Sequence, residues 1–116
     1  MSAHHKINYV EFPANKMAET KLFFAKVFNW TFQDYGTEYC AITNAGIDGG
    51  FFKSSQSSLT ENGSTLLVLF SDSLEKTQKS IEDAGGKIIK PIFEFPGGRR
   101  FHFTEPSGNE FSVWGH

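Results

Sequence analysis

The sequence contains a single cysteine, Cys40, among its 116 residues. One thiol excludes an intrachain disulfide and a cysteine metal cluster, and its apolar neighbours predict a small buried side chain. Long hydrophobic runs are also absent. The longest one, 66–70, is far shorter than the roughly 20 residues of a membrane-spanning helix. Residues 1–6 hold no apolar signal region, so we expect a cytoplasmic protein that binds no membrane.

Positive charge is scarce as well. Eleven Lys and Arg residues stand against thirteen Asp and Glu residues, which gives a formal net charge of −2. Proteins that bind nucleic acid carry a basic surface instead, so we expect no nucleic-acid partner. Arg99 and Arg100 form the only adjacent arginine pair. That pair indicates either an exposed strand edge or a site for an anion.

Aromatic residues are abundant, because thirteen phenylalanines with the tyrosines and tryptophans make up 16% of the chain. A chain of this length forms one domain with its own core, here residues 1–116. We therefore expect aromatic rings to fill that core or to line a cavity in it.

Hydrophobic spacing predicts the order strand, helix, three strands, and then the same order again. The first module covers about 6–53, with a helix at 17–28 that Asn15 would cap. Its predicted strands are 7–12, 31–35, 39–43 and 50–53, with the register of the last one open. A polar linker, 54–64, follows.

The second module covers 65–116. Its first strand, 65–70, is a run of apolar residues that predicts burial on both faces. Asp72 is the predicted cap of its helix, which ends at Gly85. Its other predicted strands are 87–89, 92–95, 99–104 and 110–114.

Strict alternation around the turn 105–108 assigns two faces to the last two strands. One face, with the first strands of both modules, should pack against the helices: Val10, Phe12, Leu67, Leu69, Phe101, Phe103, Phe111 and Val113. The opposite face presents polar and aromatic side chains together, namely Arg100, His102, Glu110, Ser112 and Trp114.

Three segments in order resemble the vicinal oxygen chelate superfamily of glyoxalases, bleomycin-resistance and fosfomycin-resistance proteins, and extradiol dioxygenases. They are 8–12, 23–30 and the turn Phe103-Thr104-Glu105-Pro106-Ser107-Gly108-Asn109. The resemblance implies an α+β fold of two βαβββ modules, which form an incomplete barrel of curved mixed sheet with helices outside. It also implies a ligand on the concave inner face and a homodimer. Whether the modules pair within one chain or swap between two chains stays open.

The resemblance also implies positions for a metal site. They fall on Tyr9, on Gly50 or Phe52, near Leu66, and on Ser112. Catalytic metal sites need several convergent nitrogen or oxygen ligands, and none of these positions holds His, Asp or Glu. We therefore expect no metal and no cofactor, although Glu11 and His102 keep a metal site open.

The expected function is small-molecule binding of the glyoxalase/bleomycin-resistance type, with an aromatic or amphiphilic anion in the concave cavity. The predicted ligand-binding residues are Tyr9, Glu11, Tyr39, Phe52, Arg100, His102, Ser112 and Trp114. The alternative is a metal-dependent glyoxalase-like lyase or isomerase, or a dioxygenase-type enzyme, with Glu11 or His102 as general base. A third possibility is that aromatic side chains fill the concave face and leave no cavity.

Overall fold

The computed structural model describes residues 3–116, which form two consecutive modules of the predicted order. The first contains β1 (Tyr9–Ala14), α1 (Met17–Phe28), β2 (Thr31–Asp34), β3 (Tyr39–Thr43) and β4 (Asp48–Lys53). The second contains β5 (Leu67–Phe70), α2 (Leu74–Asp83), β6 (Lys87–Phe95), β7 (Gly98–Thr104) and β8 (Glu110–Gly115). A 3₁₀-helix, Thr60–Asn62, lies in the linker. The two short strands predicted within 87–95 are one strand, interrupted by register shifts near Lys90.

Each module builds one open four-stranded sheet. Sheet 1 has the order β1-β4-β3-β2 and sheet 2 the order β5-β8-β7-β6. The β1–β4 and β5–β8 pairs are parallel and the remaining pairs are antiparallel. The α+β class with two βαβββ modules is therefore confirmed, and β1 and β5 are edge strands. Within residues 3–116, no helix is long and apolar enough to cross a membrane.

One aromatic core joins the two modules through α1. The Phe24 ring stacks on Trp30 at 4.3 Å between centroids, and its centroid lies 5.8 Å from that of Phe51 in sheet 1. On its other side Phe24 meets Phe111 of sheet 2 edge-on at 5.1 Å. Because such ring pairs bury much apolar surface and prefer these tilted geometries, α1 holds both sheets to one core.

The predicted core face is confirmed in both sheets. Phe12, Phe101, Phe103, Phe111 and Val113 are buried, and Val10, Leu67 and Leu69 pack against them.

The prediction that the run 65–70 is buried on both faces is wrong. Val68 is 44% exposed and Phe70 is 51% exposed. The physical reason is that β5 is an edge strand, and the described chain covers only the face that carries Leu67 and Leu69.

The predicted helix caps are also wrong, although the predicted helix ends are confirmed. The residue that precedes α1 is Lys16, whose backbone N–H donates to Ser107 Oγ at 3.0 Å. The Asn15 side chain donates to the Ser107 carbonyl oxygen instead of capping the helix. In α2 the capping position is Ser73, not Asp72, and no side chain caps it. The start of α1 in module one is thus capped by Ser107, which lies in the turn of module two.

A buried polar cluster surrounds that cap. Thr20 Oγ1 lies 2.6 Å from Ser107 Oγ and donates to Glu105 Oε1 at 3.3 Å. Asn109 donates to the Pro13 carbonyl oxygen at 2.7 Å. Glu105 is only 3% exposed and its Oε2 has no hydrogen-bond partner. Burial raises the pKa of Glu105 to about 7, although hydrogen bonds from Ser107, Thr20 and Asn109 act in the opposite direction.

Candidate functional site

The predicted site residues lie on the two sheet faces that alternate with the core positions. We call them outer face 1, on sheet 1, and outer face 2, on sheet 2. Outer face 1 consists of Tyr9, Glu11, Tyr39, Asp48, Gly50 and Phe52. Outer face 2 consists of Val68, Phe70, Arg100, His102, Ser112 and Trp114. Across residues 3–116, no hydrogen bond, ion pair or ring contact joins one face to the other. Because α1 contacts both sheets from the core side, the two faces turn away from each other.

Outer face 1 carries a hydrogen-bonded chain of two phenols and a carboxylate. The Tyr39 hydroxyl donates to Glu11 Oε2 at 2.9 Å, and the Tyr9 hydroxyl lies 2.5 Å from the Tyr39 oxygen. Since Tyr39 gives its only proton to Glu11, Tyr9 is the donor to Tyr39. Partial burial and the hydrogen bonds with Tyr9 and Glu11 raise the pKa of Tyr39 well above its usual range. Tyr39 is therefore a neutral donor.

Gly50 makes this arrangement possible. A Cβ at that position would collide with the Tyr39 hydroxyl and ring, so the ring lies across β4 where a side chain would otherwise stand. Phe52, the remaining predicted residue of outer face 1, is opposite Tyr39 in the β3–β4 register and is exposed.

Arg100 is the central cation of outer face 2. Its guanidinium carbon lies 5.4 Å from the Phe93 ring centroid and 5.5 Å from that of Phe95. Its Nε is buried without a hydrogen-bond partner, and no carboxylate of the described chain pairs with it. Arg100 lines a cavity of about 220 Å³ with Val68, Phe95 and Trp114. The neighbouring Arg99 differs, because it lies 2.5 Å from Glu75 of α2.

His102 is paired with Glu110, which alternation predicts on the same strand face but which is not one of the predicted ligand-binding residues. His102 Nδ1 lies 2.7 Å from Glu110 Oε2, and Glu110 Oε1 accepts hydrogen bonds from the Thr60 N–H and hydroxyl, each at 2.8 Å. Burial opposes the charge of Glu110, but the hydrogen bonds from His102 and Thr60 outweigh it and lower its pKa.

An ionised Glu110 holds the proton of His102 on Nδ1, which leaves the buried Nε2 as an acceptor without a partner. The signal for this pair was present in the sequence, since Glu110 shares the alternation of Ser112 and follows the turn that His102 precedes.

The positions that the family resemblance implies for a metal do not fit one. The Ser112 hydroxyl is buried and donates to the Phe101 carbonyl oxygen at 3.0 Å. The Tyr9 hydroxyl is engaged with Tyr39. In the part of the chain that the structure describes, no three His, Cys, Asp or Glu side chains come together to hold a metal ion. A metal centre within one chain is therefore not supported by these donors.

A second cavity, which the sequence did not reveal, opens between the two edge strands β1 and β5. It has a volume of about 490 Å³, and its lining side chains are apolar except that of Asn44. The side chains that line it from the core side are Val10, Phe12, Phe28, Trp30, Ile42, Leu67, Leu69 and Phe111. Val68 and Phe70, which alternate with Leu67 and Leu69 along β5, also line it. Apolar volume of this size beside two unpaired strand edges is typical of an interaction surface.

Comparison with known proteins gives one family. The family model described as Glyoxalase/Bleomycin resistance protein/Dioxygenase superfamily matches residues 6–113. No curated protein matches the sequence.

Solved structures match the fold over nearly the whole chain. A glyoxalase-related enzyme from Fulvimarina pelagi is 15% identical, with a TM-score of 0.79 over 97% of this chain and 88% of that one. A genomically encoded fosfomycin resistance protein from Listeria monocytogenes is 14% identical, with a TM-score of 0.77 over 95% and 92%. Lactoylglutathione lyase from Agrobacterium tumefaciens is 13% identical, with a TM-score of 0.72 over 98% and 96%. At these identities the likeness concerns the fold alone.

Proposed function

Because the chain belongs to the Glyoxalase/Bleomycin resistance protein/Dioxygenase superfamily, we propose that it is a cytoplasmic small-molecule-binding domain that takes an aromatic or amphiphilic anion on outer face 2. The observation that carries this proposal is Arg100, a cation placed against aromatic rings without a carboxylate partner.

The environment of Arg100 suits an anion for two reasons. Cation–π contact with Phe93 and Phe95 holds the guanidinium without neutralising its charge, unlike an ion pair. A carboxylate or phosphate would receive charge-assisted hydrogen bonds from the guanidinium, and these are stronger than bonds between neutral groups. The ligand would therefore supply the negative charge for Arg100 that no carboxylate of the described chain supplies.

The apolar part of the ligand would lie against the remaining walls of the cavity. Trp114 meets the Phe70 ring at 5.0 Å and the Phe95 ring at 6.4 Å, both edge-on. Together with the exposed Val68 these rings offer stacking surface next to the guanidinium. An aromatic or amphiphilic anion can pair with the guanidinium and also cover the apolar rings of the cavity.

The test compares a charged ligand with a neutral one of the same shape. We expect 2-naphthoate to bind and 2-naphthamide to bind more weakly, and we expect Arg100→Met to remove that difference. The matched control is Arg99→Met. It also removes one arginine, but Arg99 points to the opposite face of the sheet and pairs with Glu75 of α2. A ligand at 100 times its dissociation constant would stabilise the fold by about 2.7 kcal/mol, which a thermal-shift assay detects. Equal binding of naphthoate to the Arg100→Met and wild-type proteins would refute the proposal.

We further propose a homodimer in which a second copy covers the groove between β1 and β5. Both strands have one unpaired edge, and Val68 and Phe70 stand exposed beside an apolar groove. Setting β1 of one copy beside β5 of the other would continue sheet 1 of one chain into sheet 2 of its partner. Outer face 1 and outer face 2, which a single chain holds apart, would then border one cavity.

Sedimentation tests the dimer. We expect a dimer for the wild-type protein and a monomer for Phe70→Asp, because a buried charge at that groove is costly. Leu22→Asp is the matched control, since Leu22 is equally apolar and exposed but lies on α1 away from the groove. A wild-type monomer at high micromolar concentration would exclude the dimer.

The His102–Glu110 pair supports a second candidate function, a glyoxalase-like lyase or isomerase. A carboxylate that fixes the proton on Nδ1 leaves Nε2 as a base, which is the arrangement used for proton abstraction. Exchange of a ligand's acidic C–H proton with deuterium from solvent would report this activity. Exchange that is lost in His102→Gln and kept in Arg99→Met would favour the enzyme.

A further inference from the structure

We propose that outer face 1 recognises an organic ammonium group through the Glu11 carboxylate and the rings of Tyr9 and Tyr39. This site is opposite in charge preference to the anion site proposed on Arg100. Its residues lie on the other sheet, so substitutions at Glu11, Tyr39 and Gly50 test it without changing any residue of the anion site.

The charge of outer face 1 is unbalanced. Glu11 and Asp48 contribute two carboxylates, and the strand register places no lysine, arginine or histidine of β1, β3 or β4 on the same face. Glu11 forms no ion pair with any basic residue in the described range 3–116, and its one hydrogen bond, from Tyr39, engages Oε2. Oε1 is left to receive a hydrogen bond or a positive charge from outside.

The aromatic rings complete the recognition of a cation. Tyr9 is 45% exposed, and its hydroxyl is fixed by Tyr39, which in turn is fixed by Glu11. A cation within about 6 Å of such a ring is attracted by the negative potential of the ring face. The chain of hydroxyls thus orients two electron-rich rings beside one carboxylate before a ligand arrives.

The same donors are unsuited to a metal ion. Calcium takes about six to eight oxygen ligands, and magnesium requires nearly ideal octahedral geometry. Outer face 1 offers the carboxylates of Glu11 and Asp48 and two phenols, which are fewer oxygen ligands than calcium takes, and the described residues form no metal-binding group of three or more His, Cys, Asp or Glu side chains. An alkylammonium group has a dispersed charge that aromatic rings and a carboxylate can bind, whereas a compact metal ion needs more oxygen ligands.

Gly50 supplies a way to test the geometry apart from the charge. Because a Cβ there would displace the Tyr39 ring, Gly50→Ala moves the ring and its hydroxyl while Glu11 keeps its charge. Tyr39→Phe keeps the ring but deletes the hydrogen bond that orients Glu11. Both variants should weaken ammonium binding less than Glu11→Gln does.

The experiment is an NMR titration of the full chain with choline chloride and with 3,3-dimethyl-1-butanol, its neutral isostere. Potassium chloride at the same ionic strength controls for screening. We expect choline to shift the amide signals of β1, β3 and β4 and to bind about tenfold or more tightly than the alcohol. Glu11→Gln should abolish that preference, and Glu61→Gln, which removes an exposed carboxylate of the linker, should leave it unchanged. Equal affinity for choline and the alcohol, or an undiminished preference in Glu11→Gln, would overturn the proposal whatever happens to naphthoate binding at Arg100.

Discussion

Replacing Glu105 by glutamine should change how the stability of the protein depends on pH. Glu105 lies in the buried contact between the turn of module two and the start of α1, where only Oε1 is hydrogen-bonded. Its pKa is raised from near 4.5 to about 7, first of all because burial disfavours the carboxylate. The folded protein therefore keeps a proton at pH values at which the unfolded chain has already released it.

The size and sign of the effect follow from that difference in pKa. Below about pH 4.5 both states are protonated, and Glu105 carries no charge penalty. Between about 4.5 and 7 unfolding releases a proton, so the free energy of unfolding falls as pH rises. At about 1.4 kcal/mol per pKa unit, the total loss is about 3 kcal/mol once the pH exceeds about 7. The glutamine side chain of the variant has no proton to release, so the variant escapes this loss.

Urea denaturation followed by tryptophan fluorescence measures the effect. The free energy of unfolding of wild type minus that of Glu105→Gln should become more negative by about 3 kcal/mol from about pH 4.5 to about pH 8. Other titrating groups are common to both proteins and cancel in the difference. Glu61→Gln is the matched control, because Glu61 is exposed and should give curves parallel to the wild type.

Two results would contradict the reasoning. Parallel pH curves for the wild type and Glu105→Gln would mean that hydrogen bonds in the folded protein offset the cost of burying the carboxylate, so that its pKa is not raised. A wild type that gains stability relative to the variant as pH rises would mean that the hydrogen bonds of Oε1 outweigh burial and that the pKa is lowered.

Three further predictions concern the core, the helix cap and metal content. Phe24→Ala should lower the free energy of unfolding by about 3–5 kcal/mol in urea denaturation, against a small change for the exposed Leu22→Ala. Ser107→Ala removes the acceptor of the Lys16 N–H and should cost about 1–3 kcal/mol, whereas Ser80→Ala, on the exposed side of α2, should be nearly neutral. Elemental analysis after dialysis against zinc, nickel or manganese should find far less than one metal ion per chain. Near-equimolar metal that His102→Ala removes would instead favour the enzyme.

The sequence was sufficient to predict the fold because alternation and helical spacing act over a few residues. The faces of β7 and β8 followed from parity alone, and Phe101, Phe103, Phe111 and Val113 are buried as expected. The burial of β5 could not be predicted in the same way. Whether an apolar strand is central or at an edge depends on the pairing of strands far apart in the chain, and β5 pairs with β8 alone.

Side-chain partners were harder to predict than faces. Asn15 has the right residue type and position for a cap, yet its side chain donates to the Ser107 carbonyl oxygen, while Ser107 Oγ accepts the Lys16 N–H. Alternation placed Glu110 on the face of His102, but its hydrogen bonds could not be predicted because its partners, His102 and Thr60, come from a neighbouring strand and from the linker. The candidate site residues were assigned to one cavity because they alternate with the core positions along their strands. Alternation shows which face of a sheet carries a residue, but it cannot show how two sheets are oriented relative to each other.

The cap that Ser107 provides for α1 has a consequence for how the protein is made. Lys16 leaves the ribosome long before Ser107 is synthesised, since 91 positions separate the two hydrogen-bonded residues. The nascent first module has no acceptor for that helix end and exposes the face of Phe24 that later contacts Phe111. Contacts of such long sequence separation slow folding. The first module therefore completes its core only after β7 and β8 have been made, and a chain truncated before Ser107 would leave that aromatic core open.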